Sequence, residues 1–301
     1  MILVCGGTGT LGARIVHGLL AQGKDVRVLV RHNPISAQMA PMGLAHTPET
    51  LIEAGAQPAW GDLKDRASLE AAVAGVDTVI TTANSVKRGG EDTPETVDRA
   101  GTLNLIDAAA AAGVRRFLYT SVPDASPDSN IPVLRIKYEC EEALRASGMA
   151  YTVIRPTIFM EVWIGLMVGV PLMMQQPITL IGQGNHAHNF ISEQDVADYH
   201  ITLLDHPQAY NRILDIGGPG SYSWTQIVER VGERMGTTLP VNYAPMGSII
   251  PTLPEAANGL ASFMETHESY LDMTETAATF GIRPTTLDEY IDHTFVFAEH
   301  R

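Results

Sequence analysis

Short apolar runs alternate with helical patterns through the first half of the chain, and this alternation restricts the fold more than any other feature. Strands are expected over residues 2–5, 25–30, 57–60, 78–82, 116–120 and 151–155. Helices are expected over residues 11–22, 67–73, 93–112 and 134–147. A glycine able to end a helix in the left-handed conformation follows each one: Gly23, Gly75, Gly113 and Gly148. The repeat predicts an α/β fold with a doubly wound parallel sheet.

The alternation becomes irregular after residue 156. The remaining patterns are strands at 179–181 and 213–216 and helices at 193–204, 224–235 and 287–298. We therefore predict a core domain over residues 1–156 and a smaller α+β cap and substrate region over residues 157–301, interleaved with the core. Residues 33–47 are expected to form an extended loop after the second strand.

Composition and charge exclude several classes of protein. The 20 basic and 34 acidic residues give a net charge of −14, which repels phosphate backbones, so we expect no nucleic-acid partner. Cys5 is predicted in a strand and Cys140 in a helix, so a disulfide has little support and a reducing, cytoplasmic location fits better. No basic segment follows Met1, and the longest uncharged apolar stretch, 162–174, is too short to span a bilayer. We expect neither a secretory signal nor a transmembrane segment.

A glycine-rich turn joins the first strand to the first helix. The run from Gly6 to Gly12 reads as G-x-x-G-x-x-G, or as G-x-G-x-x-G from Gly7. Glycines let backbone N–H groups approach a pyrophosphate, and the helix N-terminus favours negative charge. A tight structural turn is the alternative. The context predicts a Rossmann-type NAD(P)-binding domain over residues 1–156, with pyrophosphate contacts from Gly6, Thr8, Gly9, Thr10, Leu11 and Gly12.

A basic residue follows the second strand, where NAD-selective sites usually carry an acidic one. A guanidinium at Arg31 can pair with a 2′-phosphate, and His32 lies beside it, so NADP(H) is preferred over NAD(H). A solvated arginine at a strand end is the alternative. After the third strand, Asp62 is predicted to reach the adenine amino group, with Leu63 next to it. The run Thr82-Ala83-Asn84 is predicted to pass near the middle of the cofactor.

These motifs together resemble the NmrA-like, atypical branch of the short-chain dehydrogenase/reductase superfamily. The matching segments are Gly6–Gly12, Val30-Arg31, Gly61–Leu63, Val76-Asp77, Phe117–Ser121, Lys137 with Glu141, Arg155–Met160, Phe190–Ala197 and Phe280–Ile282. The resemblance implies cofactor contacts at Ser121, Lys137 and Pro156. The family includes NADPH-dependent reductases of quinones, dyes and phenylpropanoids, and also NADP-binding regulators and assembly factors without turnover. Membership therefore implies fold and cofactor more directly than activity.

The usual proton donor of the superfamily is missing. Ordinary members place a tyrosine four residues before the lysine, but Val133 stands four residues before Lys137. In reductases that resemble isoflavone reductase, a lysine at this place serves the proton transfer, which makes Lys137 the candidate catalytic residue. Alternatively, Lys137 binds only ribose hydroxyls and the acceptor takes its proton from water. The third alternative is a surface lysine that pairs with Glu141 one helical turn later.

The stretch after Pro156 is rich in aromatic and methionine side chains, which suit the lip of an apolar pocket. We predict substrate contacts at Phe159, Met160, Trp163 and His188. Core packing or a homodimer patch explains the same stretch, and contact with a membrane or protein partner is a third interpretation. His186 and His188 lack a third ligand nearby, so no metal site is predicted.

The sequence thus predicts an NADPH-dependent oxidoreductase that transfers hydride to a small apolar acceptor such as a quinone, enone, imine or dye. The missing tyrosine leaves an alternative open, a non-catalytic NADP-binding redox sensor or assembly protein that acts through a protein partner.

Overall fold

The computed structural model describes residues 1–32, 45–86, 90–253 and 255–296. Most of the predicted loop at 33–47 therefore lies outside the described residues. The chain divides into two compact units. The first consists of Met1–Pro156 and Val196–Asp215, and the second of Thr157–Asp195 and the residues from 216 onward. Residues 196–215, which follow the predicted boundary at 156, thus group with the N-terminal residues.

The predicted strands and helices of the first 156 residues are all present. The strands are β1 (Ile2–Cys5), β2 (Val26–Val30), β3 (Gln57–Trp60), β4 (Thr78–Thr81), β5 (Arg116–Thr120) and β6 (Ala150–Pro156). The helices are α1 (Thr10–Ala21), α2 (Pro48–Glu53), α3 (Arg66–Val73), α4 (Thr102–Ala111) and α5 (Pro132–Ala146). A π-helical segment, Pro94–Gly101, precedes α4, where the sequence predicted one uniform helix. Positive φ angles are found at the four predicted helix-ending glycines, Gly23, Gly75, Gly113 and Gly148.

Shorter elements make up the rest of the chain. The strands are β7 (Ile158–Phe159), β8 (Ile178–Ile181), β9 (His188–Ile191), β10 (Arg212–Ile216), β11 (Ser221–Tyr222) and β12 (Val241–Ala244). The helices are α6 (Met160–Ile164), α7 (Val170–Met173), α8 (Glu193–Thr202), α9 (Trp224–Met235), α10 (Glu255–Met264), α11 (Thr274–Phe280) and α12 (Leu287–Ile291). Irregular turns are the π-helical segments Gly165–Gly169 and Asp292–Val296 and the 3₁₀ turn Pro207–Ala209.

A seven-stranded sheet forms the centre of the first unit, in the order β10-β6-β5-β4-β1-β2-β3. The neighbours from β6 to β3 pair in parallel, which confirms the predicted parallel sheet. Because β1 lies between β2 and β4, the chain winds in opposite directions on the two sides of β1. The carboxyl ends of β1 and β4 therefore flank the crevice where nucleotides bind in sheets of this type.

The strands are buried in the middle of this sheet and exposed at one edge. Every residue of β1 is buried, as strands covered by helices on both faces require. Edge strand β3 differs, since Gln57, Pro58 and Trp60 are exposed. Among the described strands, only one neighbour pairs with β3, and its position at the edge of the sheet leaves these side chains open to solvent. A proline suits this position because an edge strand need not donate every N–H to a neighbour.

The second unit has its own sheets and core. It contains a three-stranded sheet, β11-β9-β7, and a parallel pair, β12-β8. Its core includes Met160, Trp163, Phe190 and Trp224, with the rings of Phe190 and Trp224 packed edge to face at 5.4 Å. The aromatic and methionine residues after Pro156 thus contribute largely to a core, while Met173 at the end of α7 is exposed.

No helix within the described residues is long and apolar enough to cross a membrane. The predicted cytoplasmic location stays a prediction.

Candidate cofactor site

The glycine turn after β1 is packed so tightly that two of its positions exclude a side chain. Gly6 has a φ of +85°, and a Cβ on it would lie 2.7 Å from Thr82 Oγ1 and 2.8 Å from the Ala83 nitrogen. A Cβ on Gly12 would overlap the carbonyl oxygen of Gly6. The same oxygen accepts a hydrogen bond from the Gly9 N–H at 3.0 Å. The turn, the start of α1 and the end of β4 are therefore in direct backbone contact.

The N-terminus of α1 presents backbone groups rather than capping side chains. Its cap residue, Gly9, is exposed and has no side chain, and its first turn contains no acidic residue. By contrast, Thr47 caps α2 and Asp65 caps α3 through their side-chain oxygens. An uncapped helix N-terminus behind a glycine turn is suited to a pyrophosphate. The residues at this turn fit a dinucleotide.

Two cations lie just beyond the carboxyl ends of β2 and β3, around one carboxylate. Arg31 Nη1 is 2.7 Å from Asp92 Oδ2, and Lys64 Nζ is 2.5 Å from Asp92 Oδ1. Asp62 Oδ2 is 3.8 Å from the same Arg31 nitrogen. Burial by itself raises the pKa of Asp92, but hydrogen bonds from Lys64 and Arg31 outweigh it and hold the pKa below its ordinary value. Arg31 is therefore ion-paired rather than free in solvent, and its contact with a 2′-phosphate stays a prediction.

Aromatic rings flank this cluster. The His32 ring stacks on Trp60 at 4.9 Å, with an angle of 9° between the planes. Trp60 is the register partner of Val30, so the stacked pair lies where β2 and β3 end. Flat faces at that edge suit an adenine ring. His32 was predicted from the sequence to lie at this site, whereas Trp60 was not.

The residues that follow β3 and β4 range from exposed Asn84 and half-buried Asp62 to buried Leu63 and Ala83. Asp62 Oδ1 accepts a hydrogen bond from the Lys64 N–H at 2.9 Å, and Asn84 Oδ1 accepts one from Val86 at 3.1 Å. Both belong to loops at the carboxyl edge. Leu63 and Ala83 are buried, so their contribution to this edge is packing. Contact of any of the four with adenine or ribose stays a prediction.

Lys137 on α5 points inward. Only 6% of it is exposed, and Nζ lies 3.3 Å from the Thr120 carbonyl oxygen and 3.8 Å from Asp98 Oδ1. The amino group also lies 5.0 Å from the centre of the Tyr119 ring. A surface lysine paired with Glu141, one alternative left open by the sequence, is therefore wrong. The lysine side chain joins α5 to the carboxyl end of β5.

Glu141 has other partners, one turn further along α5. Its carboxylate accepts two hydrogen bonds from Arg155, at 2.9 and 2.6 Å, and one from the Ser121 hydroxyl at 2.5 Å. Glu141 is only 1% exposed to solvent. A buried carboxylate requires a compensating positive charge, and Arg155 supplies it. The proton of the Ser121 hydroxyl is thus directed to Glu141. The predicted cofactor contacts of Ser121 and of buried Pro156 stay predictions.

The predicted substrate residues belong to the second unit. Met160 and Trp163 pack in its core, and Phe159 is half-buried. His188 Nε2 lies 2.9 Å from the Met264 carbonyl oxygen, and Nδ1 lies 3.3 Å from Ser269 Oγ. Burial lowers the pKa of His188, which favours the neutral ring. Most of these four residues are held by packing within the second unit. Their contact with a substrate stays a prediction.

Four polar residues near the predicted site residues were not predicted from the sequence: Lys64 and Asp92 beside Arg31, Asp98 beside Lys137, and Glu141 beside Ser121. Glu141 was noted only as a partner for Lys137. Asp92 contacts Arg31 across 61 residues of chain, so no local pattern connects them. Lys64 could have been predicted, because it follows β3, and β3 pairs in parallel with β2, the strand that Arg31 follows.

A model of the NmrA-like family matches residues 1–291 of this chain. The chain belongs to the NmrA-like family. The resemblance predicted from its motifs is thereby confirmed. Its Rossmann-type sheet order, with β1 between β2 and β4, agrees with that membership.

The relatives of this NmrA-like chain include both enzymes and an assembly factor. The photosystem II assembly factor Ycf39 of Trieres chinensis is 30% identical over 247 residues, covering 81% of this chain and 72% of that protein. The NAD(P)H azoreductase of Xenophilus azovorans is 29% identical over 243 residues, covering 81% and 76% respectively. The solved structure of the Citrobacter sp. triphenylmethane reductase complexed with NADP(H) aligns at a TM-score of 0.78 and 19% identity, covering 98% of this chain and all of that one. The last of these supports the fold.

Proposed function

We propose that this NmrA-like chain is an NADPH-dependent reductase of small apolar acceptors such as quinones, enones, imines or dyes. One observation carries the proposal. The glycine turn and the glycine-capped N-terminus of α1 lie at the crevice of a doubly wound sheet, with Arg31 and Lys64 beyond the next strands. Among the relatives, the azoreductase is named for its use of NAD(P)H, which supports the same cofactor here.

Each part of the proposed site has a separate task. The N–H groups of the turn from Gly6 to Gly12 bind the pyrophosphate, and Arg31 binds the 2′-phosphate. The stacked pair of His32 and Trp60 offers a face to the adenine. The bound nicotinamide supplies the hydride. Because these groups are held by strand ends, they fix the position of the cofactor before reaction, which is the main requirement for hydride transfer.

Reduction of an acceptor also requires a proton, and Lys137 is the residue proposed to hold it. Its amino group carries protons beside the Thr120 carbonyl oxygen, at the end of β5. Ser121, the next residue, directs its own proton to Glu141 and therefore does not compete as donor. Acceptors that take a proton from water need neither side chain.

A second function has its own support. The Ycf39 relative is an assembly factor, and this chain has Val133 where the superfamily usually places its catalytic tyrosine. Both facts favour a protein that binds NADP(H) and acts through a protein partner. A homodimer, suggested by the apolar stretch after Pro156, is compatible with either function.

The test is single-turnover oxidation of protein-bound NADPH, followed by nicotinamide fluorescence, against quinones, enones, imines, azo dyes and triphenylmethane dyes. A reductase oxidises its bound NADPH with one chemical class at least about tenfold faster than free NADPH reacts with the same acceptor. Tight NADPH binding with no such acceleration for any acceptor would favour the assembly or sensor function. Failure to bind either NADPH or NADH would reject both.

A further inference from the structure

The cluster of Arg31 and Lys64 beyond β2 and β3 already contains a negatively charged group, the carboxylate of Asp92. The Asp92 carboxylate has one oxygen on Arg31 and the other on Lys64, at 2.7 and 2.5 Å. This is the geometry by which two cations hold a phosphate, with a different oxygen of the anion on each. Nothing in the chemistry of the reaction requires this carboxylate.

The two cations of this cluster are more exposed to solvent than the carboxylate between them. The side chains of Arg31 and Lys64 are 24% and 33% exposed, whereas that of Asp92 is 10% exposed. A solute can therefore reach both cations. The ion pairs of Asp92 with Arg31 and Lys64 are partly shielded from solvent, so they are stronger than ordinary surface ion pairs.

The location matches the place where dinucleotide sites distinguish their cofactors. Arg31 is the first residue after β2, and the ribose 2′ position is recognised at the end of that strand. Because β2 and β3 pair in parallel with Val30 opposite Trp60, Lys64 follows the neighbouring strand at the same edge. A 2′-phosphate bound by Arg31 and Lys64 together would compete with the Asp92 carboxylate for the same two cations.

We propose that Asp92 is a specificity-determining residue that competes with the 2′-phosphate of NADP(H) for Arg31 and Lys64. The carboxylate lowers the affinity for NADP(H) and leaves that for NAD(H) unchanged, since NAD(H) brings no anion to this point. Lys64 is then the second cation of the 2′-phosphate site. The inference rests on the proposed function, because it requires a nicotinamide dinucleotide at the glycine turn.

The experiment measures dissociation constants of NADPH and NADH by nicotinamide fluorescence at one fixed salt concentration, without any acceptor. In Asp92→Asn, NADPH should bind about tenfold more tightly, and NADH should change by less than about twofold. The matched control is Asp107→Asn, which removes one negative charge from an exposed position of the same unit. It should leave both constants unchanged.

A second variant tests the inference independently of the folding of Asp92→Asn. Lys64→Met should weaken NADPH about fivefold or more and leave NADH unchanged. Three results would overturn the proposal: unchanged selectivity in Asp92→Asn, equal weakening of both cofactors, or selective loss of NADH binding. If the native protein binds neither dinucleotide, the proposed function itself fails, which is a different result from binding with unchanged selectivity.

Discussion

At the scale of single residues, the proposed proton transfer depends on Lys137. Lys137 is nearly buried, and its amino group lies near partners on β5 and on the π-helical segment before α4. Its position on α5 was predictable because the superfamily motif fixes it relative to β5. Its contact with Asp98 was not predictable, since a helix face read from sequence does not say which neighbouring element packs against it.

Lys137→Met keeps the length of the apolar side chain and removes the amino group. If the amino group transfers the proton, single-turnover oxidation of bound NADPH should slow by about a hundredfold, with NADPH binding little changed. The matched control is Lys24→Met, which removes an exposed lysine paired with Asp205 and should leave the rate unchanged.

Retained oxidation with weaker NADPH binding in Lys137→Met would contradict the proton role and assign the residue to the ribose. Thermal unfolding of the variant should be followed in parallel. The Asp98 carboxylate still accepts a hydrogen bond from the Ser85 N–H, so it loses only its cationic neighbour.

At the scale of elements, the junction of β1 with α1 was the most predictable part of the molecule. An apolar run, a glycine cluster and a helical pattern follow one another directly, so local sequence fixes all three. The π-helical segment before α4 was not predictable, because it continues directly into α4 as one uninterrupted helix. The edge exposure of β3 depends on which strands pair, and local sequence does not determine that.

Gly12→Ala tests how strongly that junction depends on backbone contact. The added Cβ overlaps the Gly6 carbonyl oxygen, so α1 has to move away from the turn. We expect a loss of about 2 kcal/mol in the free energy of unfolding and a loss of NADPH binding. Urea unfolding and nicotinamide fluorescence measure the two effects.

The control for Gly12→Ala is Gly259→Ala within α10, where an added Cβ meets no atom of the described residues within 4 Å. That variant should be unchanged or more stable by about 0.5–1 kcal/mol, since alanine favours helix. Equal effects at both glycines would mean that backbone entropy, rather than the close contact, explains Gly12.

At the scale of the whole molecule, acid should destabilise the fold through a buried histidine. His200 on α8 is fully buried, with Nε2 2.8 Å from Thr120 Oγ1, and burial lowers its pKa from 6.5 to about 3. Between these values the unfolded chain binds a proton that the folded chain does not. The contribution of His200 to the free energy of unfolding is therefore fully present above pH 6.5. As the pH falls from 6.5 towards 3, this contribution decreases by about 1.4 kcal/mol per pH unit.

His200→Gln isolates this contribution from that of the carboxylates. The amide keeps a hydrogen-bonding group for Thr120 and does not titrate, so the variant should lose less stability than the native protein between pH 7 and pH 5. Urea midpoints at the two pH values give the comparison. Parallel decreases in both proteins would show that His200 does not control the acid response.

The division of the chain has a consequence for its synthesis. Residues 196–215 give the first unit most of α8 and of its seventh strand, β10, after 39 residues, 157 to 195, that belong to the second unit. Buried Arg116 on β5 donates to the carbonyl oxygen of Leu203, and β6 lies next to β10 in the sheet. A chain emerging from the ribosome therefore cannot complete its seven-stranded sheet when residue 156 appears. The growing polypeptide has to keep the β6 edge uncovered until residue 216 has been added, which makes that interval the one in which a chaperone or a misplaced strand would act.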